Sequence, residues 1–526
     1  MSSDTPKSTN SSGISQSPAK GYEGSSAVQH LETVMDSPDR RRHHFNVWST
    51  IGVNYSLIGT PLSIGTYLAF NIGVGGSPVY IFGYLLAAIF QMLICISLAE
   101  MAAAYPHSSG QVYWTSIFAP RRYSRALSYW VGAFSSAAWF FWTAGTYLFA
   151  AQLLLATASA AHPGYTSEPY QLYLCYIAAA AVAVLFNIQL FRFYTIIMRG
   201  IMFYVNISAI IVLVTLLARA SPKQSAQTVF VDFVNATGWS SDGFVFLLGC
   251  LPGITALNGF DSATHVTDEI PDPARQVPKV MIWTYALSSL SGLPMTIIFM
   301  FCVVNGDNLL APIGGQPITQ LFLDSTASLP LTMMLMSIYI IMFYIASGCM
   351  MTTFSRVLWS LAREQHLFLS PWLCRLGGRH ELPEHAIYVA TLLASLIGLL
   401  CLGPSTALNA ILGSAAVCFF CSYMIPIACL LYDRSPLRSK TRTVDLGPIG
   451  GTLINILAMA WMLLLGLVLL FPQYIPVAPA TMNYTIAVLA GVVLVYSVNW
   501  ICYARKHYRD PRDAPSGISH ALGAAA

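Results

Sequence analysis

Only 9% of the 526 residues are charged, 56% are hydrophobic, and the formal net charge is +4. A soluble domain usually carries about 25% charged residues to face water, so this composition, with a mean hydropathy of +0.61, excludes a string of soluble domains. It also gives no support to a nucleic-acid partner.

In chain order, residues 1–44 come first: Ser-rich, with Pro, Gly and few large apolar side chains. Such a segment cannot bury enough surface to fold, which predicts a disordered tail. It holds no signal-peptide core, so the first apolar helix is expected to act as the targeting signal. Apolar runs of about 20 residues, the length that crosses a ~30 Å hydrocarbon layer, then recur. They predict an all-α membrane protein of about twelve transmembrane helices. The spans are 46–73, 77–104, 127–157, 170–190, 196–219, 243–269, 278–304, 330–362, 385–403, 405–432, 450–472 and 482–503. A transmembrane domain over 45–505 would thus be followed by a short tail at 506–526. With the N-terminus inside, every Lys and Arg except Arg219 and Lys223 falls on the inner side, so both termini are expected in the cytoplasm. Asn235-Ala236-Thr237 is then an outward glycosylation sequon, whereas Asn10-Ser11-Ser12 faces inward and should stay unmodified.

Two predicted helices carry helix-weakening residues at depth. The first contains LIGTPLSIG at 57–65, and the sixth contains GCLPGITALNG at 249–259. Gly and Pro free backbone N–H and C=O groups, which lipid tolerates only where they line a cavity or find neighbours. Interruptions at corresponding positions of two halves point to inverted repeats, here about 46–219 and 243–432, with two extra helices over 450–503. Two kinked structural helices are the alternative reading.

The segment GFDSATHVTDEIPDPARQVP within 249–279 resembles the helix-6 signature of the amino acid–polyamine–organocation superfamily. LAEMAAAYPHSSGQVYW at 98–114 is similar to that superfamily's connection between helices 2 and 3. SRVLWSLAR at 355–363 is similar to its helix-8 end. PVAPATMNY at 476–484 with ARKHY at 504–508 resembles the fungal branch that includes GABA and choline permeases. The resemblance spans roughly 45–510 and implies the LeuT-like 5+5 inverted-repeat fold with alternating access. It further implies that the helix-1 break, at Ile58, Gly59 and Thr60, offers N–H groups to a substrate carboxylate. The helix-6 break, at Leu257, Asn258 and Gly259, would offer carbonyls to the amine. This suits the partial charges at half-helix ends. The sequence departs from the family where Pro61 follows Gly59-Thr60 and removes one donor, which favours choline or GABA over α-amino acids. Ser108-Ser109-Gly110 stands where Ser-Gly-Gly is usual. Where many relatives have a helix-5 Lys, the nearest polar residue at depth is Asn206.

Acids inside membrane helices are functional candidates. Asp261 and His265 share a helical face and could contact the substrate amine, relay a proton, or simply pair with each other. Glu100 reads as a structural or gating group. Trp139, Trp142 and Tyr423 are candidates for holding an ammonium group, or for plain packing. Cys418 and Cys421 form a CxxC inside an apolar helix, where small apolar fillers are expected rather than a metal site. No nucleotide-binding loop or hydrolase motif occurs, so no enzyme and no cofactor is expected. The expected function is proton-driven uptake of a small nitrogenous solute (amino acid, GABA, choline or polyamine) by a multi-pass plasma-membrane permease in a lipid bilayer. An exporter or exchanger of the same fold, and a non-transporting nutrient receptor, are the alternatives. The sequence leaves the oligomeric state open.

Overall fold

The structure, a computed structural model, describes residues 47–513 apart from 72, 163, 379, 380, 404, 439, 480 and 481. The expectations for the 1–44 tail, Asn10 and Arg379, and for residues from 514 onward, lie outside the described residues. The described chain is predominantly helical, with almost no strand. Ten of its helices are long and apolar enough to cross a membrane, among the described residues.

The first segment is α1 (Val47–Ile58) and α2 (Thr60–Thr66), joined at Gly59. Then come α3 (Gly76–Ala104), α4 (Gln111–Phe118), α5 (Arg121–Ala161), α6 (Pro169–Asn187) and α7 (Phe191–Arg219). The next apolar segment is three short helices rather than one long span: α8 (Asp242–Leu248), α9 (Leu251–Ala256) and α10 (Ser262–His265). It is followed by α11 (Pro273–Phe301), α12 (Pro317–Thr326), α13 (Leu329–Arg363) and α14 (Glu384–Gly398). The last three are α15 (Ser405–Tyr432), α16 (Pro448–Val468) and α17 (Thr485–Asn499). Proline opens α2, α6, α9, α11, α12, α13 and α16, at a position whose N–H has no intrahelical acceptor anyway. Two helices, α4 and α12, stand outside the spans expected from hydropathy. Each is too short to cross a bilayer, and both are largely buried against their neighbours.

The longest helix, α5, has 41 residues and so extends about 60 Å, well beyond the 127–157 expected. It packs along α13 on one side and α15 on the other, while α11 packs on α2 and α3. A two-residue ladder, Val74–Gly75 on Val234–Asn235, ties the start of α3 to the segment before α8. The segment just after α17 is fastened to α5. Arg125 donates to the carbonyls of Tyr508, Ala504 and Arg505, and the Tyr508 hydroxyl donates to Ser128.

Candidate functional site

The two weakened segments meet. Gly59 has φ +43 and takes the turn between α1 and α2; its carbonyl accepts from the N–H groups of Leu62 and Ser63. Thr60 follows and donates its hydroxyl to the Ala256 carbonyl at the end of α9, at 2.9 Å. The chain then passes through Leu257, Asn258, Gly259 and Phe260 before Asp261 opens α10. Gly259 has φ +94, and a Cβ there would lie 2.6 Å from the Trp142 ring. Only glycine gives both this backbone and this close approach. From α1, Asn54 donates to the Phe260 carbonyl at 3.4 Å and is hydrogen-bonded to Ser262. Ile58, Thr60, Leu257, Asn258 and Gly259 thus fall into one neighbourhood.

Asp261 is fully buried. Its Oδ2 accepts from Gln111 Nε2 at 2.6 Å and lies 3.4 Å from His265 Nε2, one helical turn on. The other His265 nitrogen, Nδ1, faces the Ser108 carbonyl at 3.3 Å. With acceptor oxygens on both sides, each ring nitrogen makes its contact only when it carries a hydrogen. Asp261 Oδ1 has no hydrogen-bond partner. The Tyr423 hydroxyl lies beside the same carboxylate.

An aromatic wall closes this neighbourhood. Trp139 and Trp142 of α5 lie 5.5 Å apart, and both meet Phe419 of α15 edge-on, at 5.4 and 5.2 Å. Phe419 stacks on Tyr423, which meets Phe260 at 5.5 Å, and Trp139 meets the His265 ring edge-on at 6.0 Å. All of these rings are buried. Tyr67, just past α2, reaches Trp142 and Thr255.

The remaining candidates lie elsewhere. Glu100 is fully buried near the end of α3, where Arg434 (2.8 Å), Arg442 (3.5 Å) and the Leu446 N–H converge on it. It clamps α3 to the segment between α15 and α16. Asn206 of α7 accepts from the Tyr55 hydroxyl at 3.0 Å, which also meets Ser291, so it links α7 to α1 and α11. Asn235 is exposed and donates to the Trp239 carbonyl and to Asp242. Cys418 and Cys421 are free thiols within α15. No cluster of three His, Cys, Asp or Glu side chains suited to a metal occurs among the described residues.

Gln111, Phe419, Asn54 and Tyr67 escaped the sequence reading. Gln111 had a weak signal: an amide directly after Gly110, in a segment already matched to a family motif. Phe419 and Tyr67 read only as apolar residues in apolar runs.

Long apolar helices around a buried polar centre define a multi-pass integral membrane protein, and the comparisons make it a permease rather than an enzyme. A sequence profile described as amino acid permease matches residues 45–493, and the chain belongs to that family. It is similar to a choline transporter of Saccharomyces cerevisiae (27% identity, covering 89% of this chain and 82% of the relative). It is also similar to amino-acid permease 2 of Neurospora crassa (25% identity, 91% and 88%) and to a swainsonine transporter of Arthroderma benhamiae (28% identity, 88% and 91%).

Proposed function

We propose that this chain is a secondary permease taking up a small solute with a cationic nitrogen, an amine or an amino acid, together with a proton. The observation that carries the reading is the buried Asp261 carboxylate, with one oxygen unpartnered, at the junction of the two breaks and under an aromatic wall. A buried carboxylate in a membrane is costly unless it has a partner or a task, and Trp139 or Trp142 adds a π-face for a cation. The names of the relatives, which include choline and amino-acid carriers, support the substrate class.

In this reading the chain has twelve spans, α1–α2 and α8–α10 being corresponding elements of two inverted repeats. Rocking about them opens the site to one side and then the other. Asp261 and His265 carry the coupling proton, which leaves Glu100 and Asn206 as structural ties. The Lys/Arg distribution supports cytoplasmic termini, and the plasma membrane fits uptake. An uptake screen of amines and amino acids at two external pH values, in cells lacking their own permeases, tests this. Saturable uptake that is faster at acid pH is expected. Binding without accumulation would overturn the transport reading. A glycan at Asn10 would overturn the orientation.

A further inference from the structure

Two helix ends meet at one corner of the molecule. α5 begins at Arg121, and α17 runs through a π turn, Trp500–Ala504, into Arg505–His507. Arg125 spans the junction. Besides its bonds to the carbonyls of Ala504, Arg505 and Tyr508, its guanidinium lies 5.6 Å from the centre of the Trp500 ring. Trp500 in turn meets Tyr129 at 4.6 Å, and Asn499 donates to the Tyr129 hydroxyl at 2.8 Å. The start of α5 and the end of α17 are therefore fixed to each other.

The exposed side chains change character along each helix as it reaches this corner. On α17, Leu494, Val498 and Ile501 form an exposed apolar stripe. Arg505 follows one wide turn beyond Ile501, with Lys506 exposed beside it. On α5, the partly exposed Phe134, Trp130 and Leu127 lead back to Tyr123, which is 52% exposed, and then to the exposed Arg122 and Arg121. Residues three or four apart share a helix face, so each stripe passes from apolar to cationic on one face. Trp and Tyr at such a crossing occupy the depth where headgroups begin.

Charge at the corner is one-sided. Arg509 is exposed next to Tyr508 and adds to the cations already named. The acids of the same segment are Asp510 and Asp513. Asp510 is turned inward, where it accepts from the Ser124 hydroxyl at 2.5 Å and from the Arg512 N–H at 3.0 Å. Clusters of Lys and Arg just past the end of a membrane helix attract anionic lipid headgroups, and a zwitterionic headgroup offers them no net charge.

We propose that the corner formed by the start of α5 and the end of α17 is a binding surface for anionic phospholipid. Arg122, Arg505 and Lys506 form its charged rim, and the apolar stripes lie against the acyl chains. Placing it on the cytoplasmic leaflet rests on the orientation reading above; the lipid contact does not.

Binding is measured on the full chain in detergent micelles, by energy transfer from its tryptophans to dansyl-labelled phosphatidylserine or to phosphatidylcholine with the same label. Each cation near an anionic surface contributes about fivefold in affinity, so phosphatidylserine should bind at least about tenfold more tightly. Arg122→Gln/Arg505→Gln/Lys506→Gln should remove that preference. Arg122→Lys/Arg505→Lys should keep it, which separates charge from folding. Arg192→Gln/Arg199→Gln, at exposed cations of α7, should also keep it. Soluble glycerophosphoserine at millimolar concentration should not displace the lipid. Equal affinity for the two lipids overturns the proposal, as does an equal loss of preference in the α7 variant, which would mean that any cation serves. Displacement by glycerophosphoserine would assign the cations to a soluble anion and overturn it too. Failure here leaves the cytoplasmic orientation standing, since the Asn10 glycan tests that separately.

Discussion

Replacing Gly259 by alanine tests whether the helix-6 break and the aromatic wall act as one object. At φ +94 the backbone lies where L side chains rarely sit, and the added Cβ would stand 2.6 and 2.7 Å from two Trp142 ring carbons. The backbone term is about 1–2 kcal/mol, and forcing a methyl into a packed site adds about 1–3 kcal/mol. The expected loss is therefore about 2–5 kcal/mol, unless Trp142 leaves its place. Gly164 is a matched control: its φ is +89 and nothing lies within 4 Å of its Cβ position. Gly164→Ala should cost only the backbone term and should leave uptake intact. Heating the detergent-solubilised variants and reading the surviving monodisperse fraction gives the stability order. Uptake at matched surface level gives the functional cost, expected to exceed about tenfold for Gly259→Ala, since displacing Trp142 by less than its own width would forfeit the substrate contact proposed for it. Removing the ring in Gly259→Ala/Trp142→Ala should recover part of the stability and none of the uptake. If Gly259→Ala matches Gly164→Ala in both measurements, the break and the wall are not packed as described.

Glu364, just past α13, predicts a pH dependence of stability. Burial pushes its carboxyl from the ordinary 4.5 up to about 8, against the lowering effects of the Ser109 hydroxyl and Arg363, with Asp510 adding to the rise. A raised carboxyl favours the protonated folded state, so its contribution is fully present below about pH 4.5 and is lost as pH rises towards 8. Thermal stability of the solubilised protein should fall over that window, and Glu364→Gln should flatten the fall; a variant that keeps the full decline refutes the assignment. Glu100→Ala should cost up to about 3–5 kcal/mol by stranding Arg434, partly relieved by that residue's remaining 14% exposure. A paired Glu100→Met/Arg434→Met replacement should recover most of that loss in the same heating assay, and failure to recover would point to a role beyond the ion pair.

The parts of the site that sequence made legible are those that depend on local chemistry. Glycine and proline in 57–65 and 249–259 marked where regular helix is hard to sustain, and the positive φ angles of Gly59 and Gly259 lie in those two segments. The i,i+4 spacing of Asp261 and His265 placed them together, as the 3.4 Å separation shows. What stayed hidden depends on long-range pairing. Hydropathy marks Glu100 as buried but cannot say that Arg434, 334 residues on, neutralises it. Likewise Gln111 meets Asp261 across 150 residues, and nothing in the run QVYWTSIF shows which of its polar atoms faces the acid. Phe419 lies in a helix apolar all round, where periodicity gives no inward face. The two short helices α4 and α12 were missed because a hydropathy window tuned to bilayer thickness passes over elements of 8 and 10 residues.

The most direct test of the account compares the pH dependence of uptake in the wild type and in Asp261→Asn, at equal surface level, from acid to neutral external pH. The account predicts wild-type uptake that rises towards acid pH and a variant whose residual uptake is flat across the range. An Asp261→Asn protein that transports with the wild-type pH profile would contradict it.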